Sequence, residues 1–259
     1  MRTKRIVASS ALCSLFLCAS VFSLGPPASS PEGLRLFHKM QDALGGADRI
    51  AAVRDFEEFV QAESWNGNTG QSMGRVTKRT RWIRPSTLRV DQIGPGSTYV
   101  LFFDGAAGWE ILPGTDKVIP LEGGELEFAR GYVRGFRLNT WLADRSPQFQ
   151  IVTPEPDVVR ISDGDITHQI DIQLDPVTWL PARLRQTTLS DPAHPRRSEE
   201  VTLDWETVHG IRFPHHWTVL RDGIKVAEAQ DARHQVNTGL ALSDLSLKPA
   251  DLKPVMRFD

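Results

Sequence analysis

Between residues 31 and 44 the apolar positions recur every three or four residues. Leu34, Phe37, Met40 (or Gln41) and Leu44 share one stripe, which predicts an amphipathic helix that Gly45-Gly46 ends. A second short helix is predicted over Ala47–Val53, with Asp48 at its start and Ile50 and Val53 facing inward. From Phe56 the pattern changes. Short β-type runs cover Phe56–Trp65, Met73–Ile83, Thr87–Ile93, Thr98–Asp104, Gly108–Leu112 and Asp116–Pro120. Turn-forming groups divide them: Asn66-Gly67, Arg84-Pro85, Gly94-Pro-Gly96, Asp104-Gly105 and Pro113-Gly114. Strands that follow one another through tight turns pair antiparallel, because a parallel pair needs a long crossover.

Gly123–Ala143 interrupts the strands with helical spacing: Leu126, Ala129, Val133, Phe136 and Thr140 step by three and four. Phe128, Tyr132, Leu138, Trp141 and Leu142 widen the apolar surface, so the segment is expected to lie buried against the sheet, with a break or close approach at Gly131 or Gly135. Strands resume at Ile166–Leu174, where Ile166, Ile170, Ile172 and Leu174 take one face and Thr167, Gln169, Asp171 and Gln173 the other. Trp179–Leu189 follows the Asp175-Pro176 turn, then Arg197–Trp205 with Val201, Leu203 and Trp205 inward. His209-Gly210 turns into His215–Arg221, Asp222-Gly223 makes a hairpin to Ile224–Val236, and Leu240–Leu247 is a short closing helix. The expected fold is α+β and mainly β: one strongly curved antiparallel sheet, a half-barrel, with helices packed on its concave face.

The first 28 residues change the picture. Met1–Arg5 carries three positive charges and no acid, Ile6–Leu24 is apolar but diluted by serine, and Gly25-Pro26-Pro27 ends any helix. These are the parts of a secretory leader, with cleavage expected between residues 20 and 28. An uncleaved anchor would want roughly 20 strongly apolar residues, which the serines deny. Both cysteines, Cys13 and Cys18, lie inside this stretch and neither follows the small residue a lipid-attachment site wants. Removing residues 1–28 leaves a single domain over 29–259 without cysteine, hence without a disulfide, thiolate nucleophile or cysteine metal ligand. It also moves the net charge from −2 to about −5, which gives no electrostatic reason to bind nucleic acid. No other long apolar run occurs, so no integral membrane span is expected after leader removal, and the location is expected to be periplasmic.

Several local groups then occur together: Ala43-Leu-Gly-Gly46 before a short helix, Arg84-Pro85 ahead of Leu88-Arg89-Val90, and Asp104-Gly105 ahead of Gly108-Trp109. Asp175–Leu184, Val208–Pro214 and Val236-Asn237 complete the order, over roughly residues 35–250. In this order the chain resembles the LolA/LolB-like superfamily of periplasmic lipoprotein carriers, often labelled outer-membrane lipoprotein-sorting proteins. The resemblance implies a half-open, bent antiparallel sheet whose concave face is apolar and partly plugged by helices. It also implies a lipid or lipoprotein acyl chain as ligand, inner- or outer-membrane lipoprotein machinery as partner, no cofactor and no enzymatic activity. The superfamily includes sensors and assembly factors that act through a protein partner, so that role stays open.

The physics of a carrier is separate from the resemblance. Sheltering a 16-carbon chain from water is worth roughly 12 kcal/mol, at about 0.8 kcal/mol per CH₂. Trp82, Phe102, Trp109, Phe136, Trp141, Phe213 and Trp217 are the candidate cavity lining, against the plainer alternative that they are ordinary core aromatics. Other chemistry has weaker footing. Gly70-Gln-Ser-Met-Gly74 matches the nucleophile elbow of a secreted serine hydrolase with Ser72 as nucleophile, the third reading, but a strand follows it where a helix is required. His209, His215, His216 and His234 form the histidine group, and the two neighbours on one strand point to opposite faces. Asp163 and Asp165 flank Gly164 without the remaining ligands of a calcium loop. Arg75, Lys78, Arg79, Arg81, Arg84 and Arg89 concentrate positive charge, either for an acidic head group or as a solvated strand face.

Overall fold

A computed structural model describes residues 28–95, 97–114, 117–163, 169–188 and 196–248. Residues 1–27 of the leader, with both cysteines, therefore lie outside the described residues, as do Asp116, Gly96, the Gly164-Asp165 turn and the first three residues of the Ile166–Leu174 run.

The chain begins with helix α1 (Pro31–Leu44) and α2 (Ala47–Ala51). Six strands follow: β1 (Asp55–Trp65), β2 (Ser72–Ile83), β3 (Thr87–Gly94), β4 (Ser97–Phe103), β5 (Gly108–Ile111) and β6 (Val118–Pro120). The insert holds α3 (Gly123–Arg134), α4 (Arg137–Thr140) and a 3₁₀ turn at Ala143–Arg145. Then come β7 (Gln150–Val152), β8 (Val158–Ser162), β9 (Ile170–Leu174), β10 (Pro181–Thr188), β11 (Arg196–Val208), β12 (Ile211–Arg221), β13 (Ile224–Val236) and α5 (Leu242–Ser246). Among the described residues these strands form one sheet in the order β6-β5-β4-β3-β2-β1-β13-β12-β11-β10-β9-β8-β7, every pairing antiparallel. Two meanders are thus joined where the first strand pairs with the last.

The sheet is bent, and its core shows why. Laid flat, the ten strand spacings from β4 to β7 would measure about 48 Å at about 4.8 Å each. Yet Leu101 and Phe103 of β4 and Ile151 of β7 belong to one continuous buried core, with α1–α4 between them. A single layer of helices about 10 Å thick fills that distance only if the sheet curls around it. The inner face is the side carrying Phe56, Trp82, Leu88, Val90, Val159, Ile172 and Phe213; α1 packs there through Leu36, Phe37, Met40 and Leu44. The α3–α4 insert connects the two far edges, β6 and β7, and so crosses this face.

Local chemistry fixes the approach of α1. The Ser30 hydroxyl caps its start by accepting from Gly33 N at 3.0 Å, and Pro31 opens its first turn. Gly33 is required by packing: a Cβ there would stand 2.7 Å from the Ile151 carbonyl and the Val152 Cα. At the other end Gly45, at φ 119°, abuts the Gly210 carbonyl. Buried Gln41 then ties α1 to the insert, donating to the Trp141 carbonyl and Asp144 Oδ1 at 2.9 Å.

Three expectations need correction. The closing helix α5 covers the outer face, where Leu245 packs on Val100, Phe102, Trp109 and Ile111, so only α1–α4 sit inside. Strands β7 and β8 have no counterpart in the pattern reading; three and five residues give too short a period to see. In β11 the inward positions are Glu200 and Thr202, opposite Val219 and Trp217, while Val201 pairs with Thr218 on the outer side and Leu203 is 55% exposed. Register shifts beside Asp204 move the phase, which leaves Trp205 half-buried against the core.

Candidate functional site

The seven aromatics chosen from sequence do not form one surface. Trp82, Phe136, Trp141 and Phe213 share the inner core and stack in a chain with Phe56: Trp82 to Phe136 5.3 Å, Phe136 to Phe56 5.6 Å, Phe56 to Phe213 5.3 Å, Phe213 to Trp141 5.8 Å. Trp217 is on the same face in a neighbouring patch with Val60, Ala229 and Ala232. Phe102 and Trp109 are paired with each other but face outward under α5, because Phe102 lies opposite Arg89 while its neighbour Phe103 lies opposite Leu88. The inner aromatics are closed over: Trp82 and Phe213 are fully buried and Phe136 is 8% exposed. Val133, Phe136, Leu138, Trp141 and Leu142 of the insert and its 3₁₀ approach supply the cover.

Between the apolar core and the Trp217 patch the inner face carries charge that pattern reading missed. Glu58 of β1 stands opposite His234 of β13 and Thr80 of β2. His234 has no exposed side chain; its Nε2 meets Glu58 Oε1 at 3.2 Å and its Nδ1 meets Glu206. The ring stacks on Phe213 at 5.0 Å and lies 5.6 Å from Phe56. Arg137 descends from α4 to Glu58 at 3.6 Å and Glu200 at 3.8 Å, its guanidinium 5.7 Å from the Trp217 ring. Lys78 Nζ donates to the Tyr132 hydroxyl of α3 at 2.9 Å. The insert is therefore held to the sheet by polar groups above its apolar underside.

These groups set one another's ionisation. Burial alone would raise the Glu58 carboxyl, but Arg137, His234 and Lys78 outweigh it and hold it at about 2. Glu200 goes the other way: burial raises it, and Arg137 only partly offsets that while Glu58 adds to it. For Lys78 burial works downward, yet Tyr132 and Glu58 leave it above the usual lysine value. Arg137 is likewise raised, burial being outweighed by Glu58 and Glu200.

The other sequence candidates disperse. Ser72 begins β2 on the surface, donates to Glu63 Oε1 at 3.0 Å and is followed by eleven more strand residues, so no elbow exists there. His209 sits in the β11–β12 turn at φ 50°, His215 meets the Ala232 carbonyl, and His216 meets Glu228 on the opposite face. Among the described residues no group of three or more histidine, aspartate or glutamate side chains is placed to hold a metal ion. Within the basic run Arg75 is exposed on β2, and the other members are engaged. Arg79 pairs with Glu57, and Arg81 and Arg89 both grip Asp91, at 2.6 and 2.9 Å. Arg89 also donates to the Leu245 carbonyl at 2.9 Å, pinning α5. Arg84 donates to the Val53 and Ile50 carbonyls, and Lys78 alone of these is on the inner face beside the insert.

No protein-family model matches the sequence, and no curated protein does. Solved structures do match in shape. A domain described as that of an outer membrane lipoprotein-sorting protein from Vibrio parahaemolyticus aligns with a TM-score of 0.51 at 12% identity, covering 83% of this chain and 96% of that one. A DUF1329 family protein from Desulfovibrio piger gives 0.53 at 14% identity, over 85% and 100% of the two chains. A LolA superfamily protein from Nitrosomonas europaea gives 0.52 at 12% identity, over 80% and 97%. The fold is LolA-like, a single open antiparallel sheet with helices inside. No helix among the described residues is long and apolar enough to cross a membrane.

Proposed function

We propose that the protein is an exported, periplasmic binding or carrier protein whose inner face takes a lipid or lipoprotein acyl chain beneath the α3–α4 insert. The observation that carries this is the insert itself. Its apolar underside fills the inner face, while its attachment above runs through Arg137, Lys78 and Gln41. Burying Val133, Phe136, Leu138, Trp141 and Leu142 at about 2 kcal/mol each is worth about 10 kcal/mol. A 16-carbon chain gains roughly 12 kcal/mol from the same shelter. A chain seated between the insert and the sheet trades one oily contact for another of similar worth, so loading and release are nearly balanced. The leader read from sequence supports the compartment, and the LolA-like fold supports a carrier without covalent chemistry.

Native mass spectrometry on protein purified from a periplasmic extract tests this, with competition for a fluorescent fatty acid beside it. A co-purifying mass of lipid size and saturable displacement are the expected results. If neither ligand nor displacement is found while a pull-down returns one stoichiometric protein, the carrier reading falls and a partner-directed sensor or assembly factor of the same fold replaces it.

A further inference from the structure

Among the described residues, Thr80 Oγ1, Trp82 Nε1 and Arg137 Nη1 on the inner face are buried without a hydrogen-bond partner. They are neighbours. Thr80 and Trp82 are two residues apart on the same side of β2, Trp82 packs on Phe136, and Arg137 follows Phe136 and reaches Glu58, the cross-strand partner of Thr80. All three can donate, and Trp and Arg can do nothing else. Leaving such groups dry and unpaired is costly, and natural interiors rarely tolerate it without a ligand or a bound water.

We propose that these donors form a subsite for the anionic oxygen group of a single-chain amphiphile, a carboxylate, at the boundary between the apolar core and the Trp217 patch. The inference rests on the carrier reading and narrows its ligand to one with a charged head. Around the subsite Arg137 faces Glu58 at 3.6 Å and Glu200 at 3.8 Å, which leaves its Nη1 without a hydrogen bond. A carboxylate has two oxygens and only accepts, so it can take all three donors, whereas an alcohol has a single oxygen and a proton of its own to place.

Titrating the intact protein with dodecanoate and with 1-dodecanol, read by quenching of tryptophan fluorescence, tests the subsite. Dodecanoate should bind at least about tenfold more tightly, the worth of one charge-assisted hydrogen bond. Arg137→Gln loosens the insert for both ligands alike, so the readout is the ratio of the two affinities, and that ratio should fall most of the way to one. Thr80→Val and Trp82→Phe, which keep side-chain shape, should each reduce the ratio two- to threefold and serve if Arg137→Gln does not fold. Equal affinity for the two ligands, or equal weakening of both by these substitutions, overturns the subsite and leaves the carrier reading standing. Absence of binding by either ligand overturns both.

Discussion

Arg137→Met is the substitution that most directly probes how the insert is fastened. The Arg137 side chain is 16% exposed, and its guanidinium faces two carboxylates, Glu58 at 3.6 Å and Glu200 at 3.8 Å. Both separations are too long for a direct hydrogen bond, so the attraction is mainly coulombic: about 4 kcal/mol per pair at an effective dielectric near 20, before desolvation is subtracted. A second route gives a similar size. Glu58 ionises at about 2 in the folded chain against an ordinary 4.5, a gap worth about 3 kcal/mol, which Arg137, His234 and Lys78 supply against burial. Breaking one partner of a buried pair typically costs 3–5 kcal/mol, so about 3 kcal/mol is expected at pH 7. For a domain of this size that lowers Tm by about 6–12 °C.

The pH dependence gives the sharper check. Because Glu58 is depressed in the folded state, its stabilisation is present above about 4.5 and is lost as pH falls toward about 2. Without Arg137, burial pushes Glu58 up, and the variant is penalised wherever the carboxylate is charged in the unfolded chain. The deficit should thus be full near pH 7 and shrink on acidification through 4.5. Urea unfolding followed by tryptophan emission at pH 7, 5 and 3.5 measures it. A deficit that is absent at pH 7, or constant over the three, refutes the reasoning.

Four further outcomes follow from the geometry. Arg89→Met removes the clamp on Asp91 and the Leu245 carbonyl, and should cost 2–4 kcal/mol in urea unfolding while leaving acyl-chain affinity unchanged. Gly33→Ala forces a Cβ against the Ile151–Val152 backbone and should cost about 1–3 kcal/mol, read as a lower Tm. Phe136→Leu should alter acyl-chain affinity measurably, whereas Phe102→Leu, on the outer face, should not; equal effects would contradict the assignment of faces. Ser72→Ala should leave both Tm and any esterase background unchanged.

Turns were the most legible part of this chain because their chemistry is local. Asp104 accepts from the backbone N–H of Ala106 and Ala107, and Asp175 from those of Val177 and Thr178, all within three residues. Which face of a strand points inward is not local. Phe102 and Phe103 are adjacent, opposite in direction and both buried, one under α5 and one under the insert. Period-2 alternation cannot separate them, so it cannot tell that Phe102 and Trp109 lie on the outer face. Bulges defeat the same rule in β11. The charged cluster was hidden by distance: Glu58 and His234 meet across 176 positions, through the β1–β13 register alone. One signal was available. Glu58 is in phase with Phe56 and Val60, and Lys78 with Trp82, so charges interrupt what would otherwise be dry stripes.

Pairing of β1 with β13 has a consequence for assembly. A chain that emerges amino end first, from a ribosome or through a membrane pore, leaves the open edge of β1 without its mate until residue 236 has appeared. Neither half can seal the interior alone, since the middle of the sheet consists of its earliest and latest strands. Contacts so remote along the chain make for slow closure and a long interval in which a strand edge is bare. Such a polypeptide can close its β1–β13 seam only after every other strand of the sheet has emerged.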